Sequence, residues 1–218
     1  MCETEFIQAC LNHPDIHRNV VTKRYKKKRL LETAGTPISH IGFVLDGFLK
    51  AITYTKDGKE LCSSVFTKGS ILLEYLYLSG NADYTFDLVT LSKARISWIP
   101  VDVFAEAVLN DNQLLRLYIK HLAVRGVDNQ RMITCLGYKT IRERICYWIS
   151  SEGNLELDLC KIPTHVRLPV SQEAFAALIN VTRASLNQEL HRMEDESFFK
   201  LNKKILTHIN KEKILANL

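Results

Sequence analysis

The sequence predicts an α+β protein in which an antiparallel β-roll comes first and helices follow. Three observations carry this. Gly35, Gly47, Gly58, Gly69 and Gly80 recur every 11 or 12 residues, which is the spacing of turns between short strands. After Ile99-Pro100 the pattern switches to helix, with one long amphipathic stretch reaching about Leu136. Residues 170–194 then hold two helical patterns separated by a break.

The β-rich runs IGFVL (41–45), FLKAITYT (48–55), LCSSVFT (61–67) and YTFDLVTL (84–91) lie between or beside these glycines. Glycine supplies the positive φ that tight turns demand, and Asp57-Gly58 between two alternating runs marks a hairpin. In the helical part, Asp102 is placed to cap a short helix, VFAEAVL, and Asp111 to cap the longer one. Along the latter, Leu115, Tyr118, Leu122, Asn129, Met132 and Leu136 fall on a and d positions of a heptad, with Arg125 interrupting the d series. That face suits either pairing with a second copy or packing on the chain's own roll. Gly137 is placed to end the helix as a left-handed cap, and Thr140 to start another with Ile141, Ile145, Trp148 and Ile149 on its apolar face. Short strands are expected at about 155–159 and 165–168.

In the stretch VSQEAFAALINVTRASLNQELHRME, Ser171 is an N-cap, and Val170 and Phe175 stand at the two positions of a hydrophobic staple. Asn180 tolerates the left-handed conformation and can turn the chain sharply. Thr182 caps a second helix, whose buried stripe is Leu186, Leu190 and Met193. This is a helix-turn-helix pattern, in which the second helix offers its N-terminal residues to the DNA major groove. Arginine makes paired hydrogen bonds to guanine, and asparagine or glutamine to adenine. Arg183 and Gln188 are therefore candidate base readers, and Thr182 and Ser185 suit phosphate oxygens. Ser171, Gln172 and Asn187 complete the candidate contacts on the two helices. FFKLNKKILTHIN predicts a hairpin turning at 202–204, a wing whose Lys203 meets phosphate. An ordinary helical hairpin with a polar outer face is the alternative.

In this order of parts, and above all in DGFLKAITYTKDGKE and SQEAFAALINVTRASLNQELHRME, the chain resembles the cyclic-AMP receptor protein and FNR (Crp/Fnr) family of bacterial transcription regulators. The resemblance covers about residues 23–212. It implies a cyclic-nucleotide-binding-like sensory roll at 1–110, a dimerisation helix at 111–137, and a winged helix-turn-helix unit at 138–218 with the helix-turn-helix at about 171–193. It implies a non-enzymatic homodimer on double-stranded DNA with two-fold-related half-sites roughly 34 Å apart, working with RNA polymerase. Arg183 matches the family's recognition-helix arginine. Ala184 stands where many members have glutamate, Gln188 where some have a second arginine, Asn180 at the usual turn glycine and Glu189 at a common buried aliphatic position.

The effector pocket departs from that pattern. Leu73-Glu74 and Tyr84-Thr85 correspond to the Gly-Glu and Arg-Ser pairs that hold a cyclic nucleotide, so the phosphate lacks its arginine and cyclic AMP in the usual mode is not expected. Glu74 is expected to be solvated or helix-capping. Glu74, Tyr84, Thr85, Asn129 and Gln130 remain candidate pocket residues, with the effector unknown. Cys10, His13 and His17 form C-x2-H-x3-H, a weak metal candidate lacking a second paired motif, and a redox-, metal- or haem-responsive regulator is the alternative within the family. A cupin-type metal enzyme is disfavoured because His40 is the only histidine between residues 18 and 120.

Composition agrees with a globular, cytoplasmic protein without a membrane partner: 46% hydrophobic and 24% charged residues, with no secretion signal or spanning stretch. Six cysteines without CxxC spacing read as reduced thiols. The net charge of +5 is spread over both halves, 17 Lys+Arg against 14 Asp+Glu in residues 1–137 and 12 against 10 thereafter. The densest run, KRYKKKR at 23–29, alternates like an exposed edge strand of the roll protected by charge.

Overall fold

The computed structural model describes residues 2–151, 162, 164–168 and 171–218. They form two compact units, Met1–Arg125 and Gly126–Leu218. The first begins with helices α1 (Cys2–Asn12) and α2 (Pro14–Asn19), which the sequence reading does not contain. Phe6, Cys10 and Ile16 from them are fully buried in the core of the unit. The roll is two four-stranded antiparallel sheets. One has the order β1-β8-β3-β6, with β1 Val21–Tyr25, β3 His40–Asp46, β6 Ile71–Leu72 and β8 Ala94–Pro100. The other has the order β2-β7-β4-β5, with β2 Leu30–Glu32, β4 Leu49–Tyr54, β5 Glu60–Phe66 and β7 Asp87–Thr90.

All five periodic glycines have positive φ, from 75° to 96°. At Gly47 the constraint is also steric, because a Cβ would lie 2.3 Å from the Lys93 carbonyl oxygen. The Asp57-Gly58 hairpin closes through Thr55 N–H to Lys59 O at 3.0 Å. The run KRYKKKR is only half strand. It pairs with β8 as an edge through Tyr25, then turns at Lys28, which has φ 60°. The buried Thr90 hydroxyl causes the turn, accepting from Arg29 N–H and donating to Lys26 O. Similarly, the strand expected at 84–91 is confined to β7, while Tyr84 and Phe86 insert into the core ahead of it.

After α3 (Glu74–Leu78) come α4 (Val101–Asn110) and the 26-residue α5 (Asn112–Gly137). Asp111 caps α5, its Oδ1 accepting from Gln113 and Leu114 N–H. Asp102 does not cap α4: it lies within the first turn, and Pro100 takes the cap position. Gly137 is the last helical residue and has no positive φ. In the heptad reading of α5 one series stays, at Leu115, Leu122, Asn129 and Leu136, and the other moves by one residue. Leu114, Tyr118 and His121 are buried in the roll's unit, and Arg125 is drawn to Glu74. The outward stripe is instead Leu115, Ile119, Leu122, Gly126, Asn129, Ile133 and Leu136, in alternating steps of four and three. Ile119 is 58% and Ile133 73% exposed.

The second unit continues with α6 (Ile141–Ser151), β9 (Val166–Arg167), α7 (Gln172–Leu178), α8 (Arg183–Asp195), β10 (Lys200–Asn202), β11 (Ile205–Thr207) and α9 (Lys211–Leu215). Thr140 and Glu143 form a reciprocal capping box on α6. The three strands make a small sheet of order β10-β11-β9. Phe175, Ile179, Leu186, Leu190, Met193 and Phe199 fill the core with Ile145 and Ile149. The strand expected at 155–159, and Val170 of the proposed staple, lie outside the described residues.

Candidate functional site

Local chemistry builds the α7–α8 pair. The Ser171 hydroxyl accepts from Ala174 N–H at 3.0 Å and starts α7. Asn180 takes φ 53°, reversing the chain within a short link, and Val181 N–H returns to Ala176 O at 2.9 Å. The Thr182 hydroxyl then accepts from Ser185 N–H at 3.1 Å and starts α8. Ala176 is buried, and its small side chain leaves room for close packing.

With Leu186, Leu190 and Met193 turned inward, the first turns of α8 present Thr182, Arg183, Ala184 and Gln188 to solvent. Among the described residues Arg183 has no ion pair, so its guanidinium keeps its donors for an external acceptor. Ser185 is half-buried and its hydroxyl contacts that of Thr182 at 2.8 Å. Asn187 is not a free reader. Its Oδ1 accepts from Gln172 Nε2 at 3.0 Å, a side-chain bridge between the two helices. Gln172 and Asn187 thus orient α8 on α7. Lys203 sits at the tip of the β10–β11 hairpin with φ 54°, and Lys203 and Lys204 are both exposed.

One residue of this unit carries a role that periodicity does not reveal. Glu189 is half-buried beside the inward stripe of α8, and Arg142 answers it from α6 through Nε at 2.7 Å. The same guanidinium holds Glu196 through Nη1 and Nη2 at 2.7 and 2.9 Å and lies 5.2 Å from the centre of the Phe198 ring. A carboxylate is tolerated at Glu189 because a fixed arginine fork faces it.

In the roll, Glu74 is neither solvated nor a helix cap. It opens α3, is fully buried, and its Oε1 accepts from Arg125 Nη1, with His121 Nε2 at 3.5 Å. Arg125 also lies over the Tyr75 ring at 5.1 Å, and His121 stacks on Phe6 and Tyr118. A buried charge requires a partner, and this one is supplied from within the chain. Tyr84 does not join Glu74 in a shared pocket: it lines a different cavity beside β1, and Thr85 is exposed. Asn129 and Gln130 are exposed on α5. A cyclic phosphate therefore meets neither an arginine at 84 nor a free carboxylate at 74, and the residues do not fit a cyclic nucleotide in the family's usual mode. Cys10 is fully buried, and burial pushes its thiol well above the ordinary range. His17 contacts Leu11 O at 3.3 Å. No group of three or more His, Cys, Asp or Glu among the described residues is placed to hold a metal ion.

Residues 22–111 match the cyclic nucleotide-binding domain family. The global nitrogen regulator of Nostoc sp. is 20% identical over 195 residues, covering 86% of this chain and 84% of that protein. A CooA variant from Carboxydothermus hydrogenoformans superposes with a TM-score of 0.70 at 16% identity, over 96% of this chain and 93% of that one. A Crp/Fnr family regulator from Eubacterium rectale gives 0.59 at 14% identity, over 97% and 96%. No described helix is long and apolar enough to cross a membrane. With residues 22–111 similar to the cyclic nucleotide-binding domain family and this order of roll, long helix and α7–α8 pair, the chain has the fold seen in regulators of the Crp/Fnr family.

Proposed function

We propose that the protein is a homodimeric, sequence-specific DNA-binding transcription regulator and not an enzyme. The observation that carries this is the α7–α8 pair: two capped helices joined through a left-handed Asn180, with Arg183, which has no ion pair among the described residues, and the exposed Gln188 at the outward start of the second. Arg183 and Gln188 read base edges, while Thr182, Ser185, Ser171 and Lys203 meet phosphates. Gln172 and Asn187 position the reader. The relatives' names support regulation of transcription, and the family resemblance supports RNA polymerase as a partner and the cytoplasm as the location.

The stripe from Leu115 to Leu136, with Ile119, Leu122 and Ile133 exposed, supports pairing of α5 with its copy, giving a two-fold complex and a two-fold operator. In this division residues 1–110 sense, 111–137 join the protomers and 138–218 bind DNA. The Arg125–Glu74 pair supports a sensory roll that does not take cyclic AMP in the usual manner.

The test is selection of bound sequences from a random duplex pool, followed by titration of the selected site at fixed salt. Arg183→Ala is expected to lose about 1 to 3 kcal/mol of affinity and to relax preference at one base pair of each half-site. Unchanged affinity with unchanged preference would remove Arg183 from the interface.

A further inference from the structure

The roll contains a cavity of about 210 Å³ with aromatic walls and opposite charges that do not neutralise each other. Its walls include Tyr25 and Trp98, linked by Trp98 Nε1 donating to Tyr25 Oη at 2.8 Å. Tyr84 is 5% exposed and lines the same space. Among the described residues its hydroxyl has no hydrogen-bond partner, which leaves it to meet a ligand in the cavity. Glu32, half-buried on β2, lines the cavity as well, and its charge helps to raise the Tyr84 hydroxyl above its ordinary range, after burial itself. At the rim stand Lys23 and His40. Neither Glu32 nor Lys23 has an ion pair among the described residues, although both line one small space. The cavity therefore offers an anionic pole with the Tyr84 hydroxyl oxygen as a further acceptor, a cationic pole, and aromatic faces between them.

We propose that this cavity is a binding site for a small zwitterionic metabolite of the α-amino-acid class. The ligand's ammonium group donates to the Glu32 carboxylate and the Tyr84 hydroxyl oxygen and lies against the tyrosine rings, where carboxylate and aromatic faces both favour a cation. Its carboxylate faces Lys23 and His40. The volume of about 210 Å³ is below the roughly 300 to 1,000 Å³ of pockets for drug-sized ligands, which suits a ligand smaller than a nucleotide. The site is separate from the Glu74–Arg125 pair, so it leaves that ion pair intact.

Calorimetric titration of the full-length protein with the individual amino acids at millimolar concentration tests this. The matching 2-hydroxy acids, which lack the ammonium, and the matching decarboxylated amines serve as one-pole controls. At least one amino acid is expected to bind, each one-pole analogue at least about tenfold more weakly, since a charged hydrogen bond is lost. Tyr84→Phe removes only the hydroxyl, and Glu32→Gln only the charge. Each is expected to weaken binding about tenfold or more while the thermal melt stays unchanged. Absence of heat with every amino acid, equal binding of a one-pole analogue, or binding undiminished in both variants would overturn the assignment.

Discussion

Each unit of the chain contains an arginine that reaches from one helix to the carboxylate of another and also lies over an aromatic ring. In the roll, Arg125 meets Glu74 beside Tyr75. In the C-terminal unit, Arg142 meets Glu189 and Glu196 beside Phe198. The surroundings differ. Glu74 is fully buried, and its second oxygen has no hydrogen-bond partner. Arg142 makes three hydrogen bonds to two carboxylates, one of which, Glu196, is 43% exposed. The pair in the roll puts one hydrogen bond from Arg125 on a fully buried carboxylate, whereas the second network shares its charge with water at Glu196. The same residue types therefore produce a brittle lock in one unit and a tolerant clasp in the other.

The sharpest test of this contrast is Arg125→Ala, which strands a buried carboxylate and is expected to destabilise the roll by about 3 to 5 kcal/mol. Adding Glu74→Gln is expected to recover much of that loss, because it removes the charge that was stranded. Denaturant unfolding followed by Trp98 fluorescence, in a Trp148→Phe background, reads both. Arg142→Ala should cost less, about 1 to 3 kcal/mol, because water reaches Glu196 and the half-buried Glu189 keeps Arg192 Nη1 at 3.4 Å. If the two arginine variants cost the same, burial is not what separates them.

Asn180 tests the C-terminal unit at its backbone. Asn180→Ala, forced into the left-handed region, should cost about 1 to 2 kcal/mol, while Asn180→Gly should be nearly neutral and retain DNA binding. Equal losses would show that the Asn180 side chain, rather than its φ, holds the turn.

The smallest effect concerns pH. Glu196 is held below the ordinary value of 4.5 by its hydrogen bond to Arg142, and Glu143 is held low by the Thr140 N–H. A carboxylate depressed on folding contributes stability above its unfolded value and loses it as pH falls through the folded value. The melting temperature of the C-terminal unit should therefore drop on acidification below about 4.5, and Arg142→Ala should remove the Glu196 share of that drop. Water reaches both carboxylates, Glu196 being exposed and Glu143 partly so, and the change is modest.

Features that depend on a few neighbouring residues were legible in the chain itself. Ser171, Asn180, Thr182, Asp111 and the Asp57-Gly58 turn take the conformations their side chains favour, because each cap or turn closes within about four residues. Helix register was not legible in the same way. Tyr118 and Ile119 both continue an amphipathic spacing from Leu115, and only the presence of the roll decides that Tyr118 turns inward and Ile119 outward. Nor does spacing show that Gln172 and Asn187 join two helices, since the bridge forms only once they pack.

The sequence by itself determined the order of the parts, the turn positions, the capped helices of residues 171–195 and the residues offered at the start of α8. These follow from backbone preference and periodicity. The tertiary structure decided where charge is satisfied. Glu74 finds Arg125 across 51 positions and Glu189 finds Arg142 across 47, and the run KRYKKKR bends because the buried Thr90 hydroxyl lies beneath it. A charged or polar group takes its partner from whatever folding brings near, and that distance is not written in local spacing.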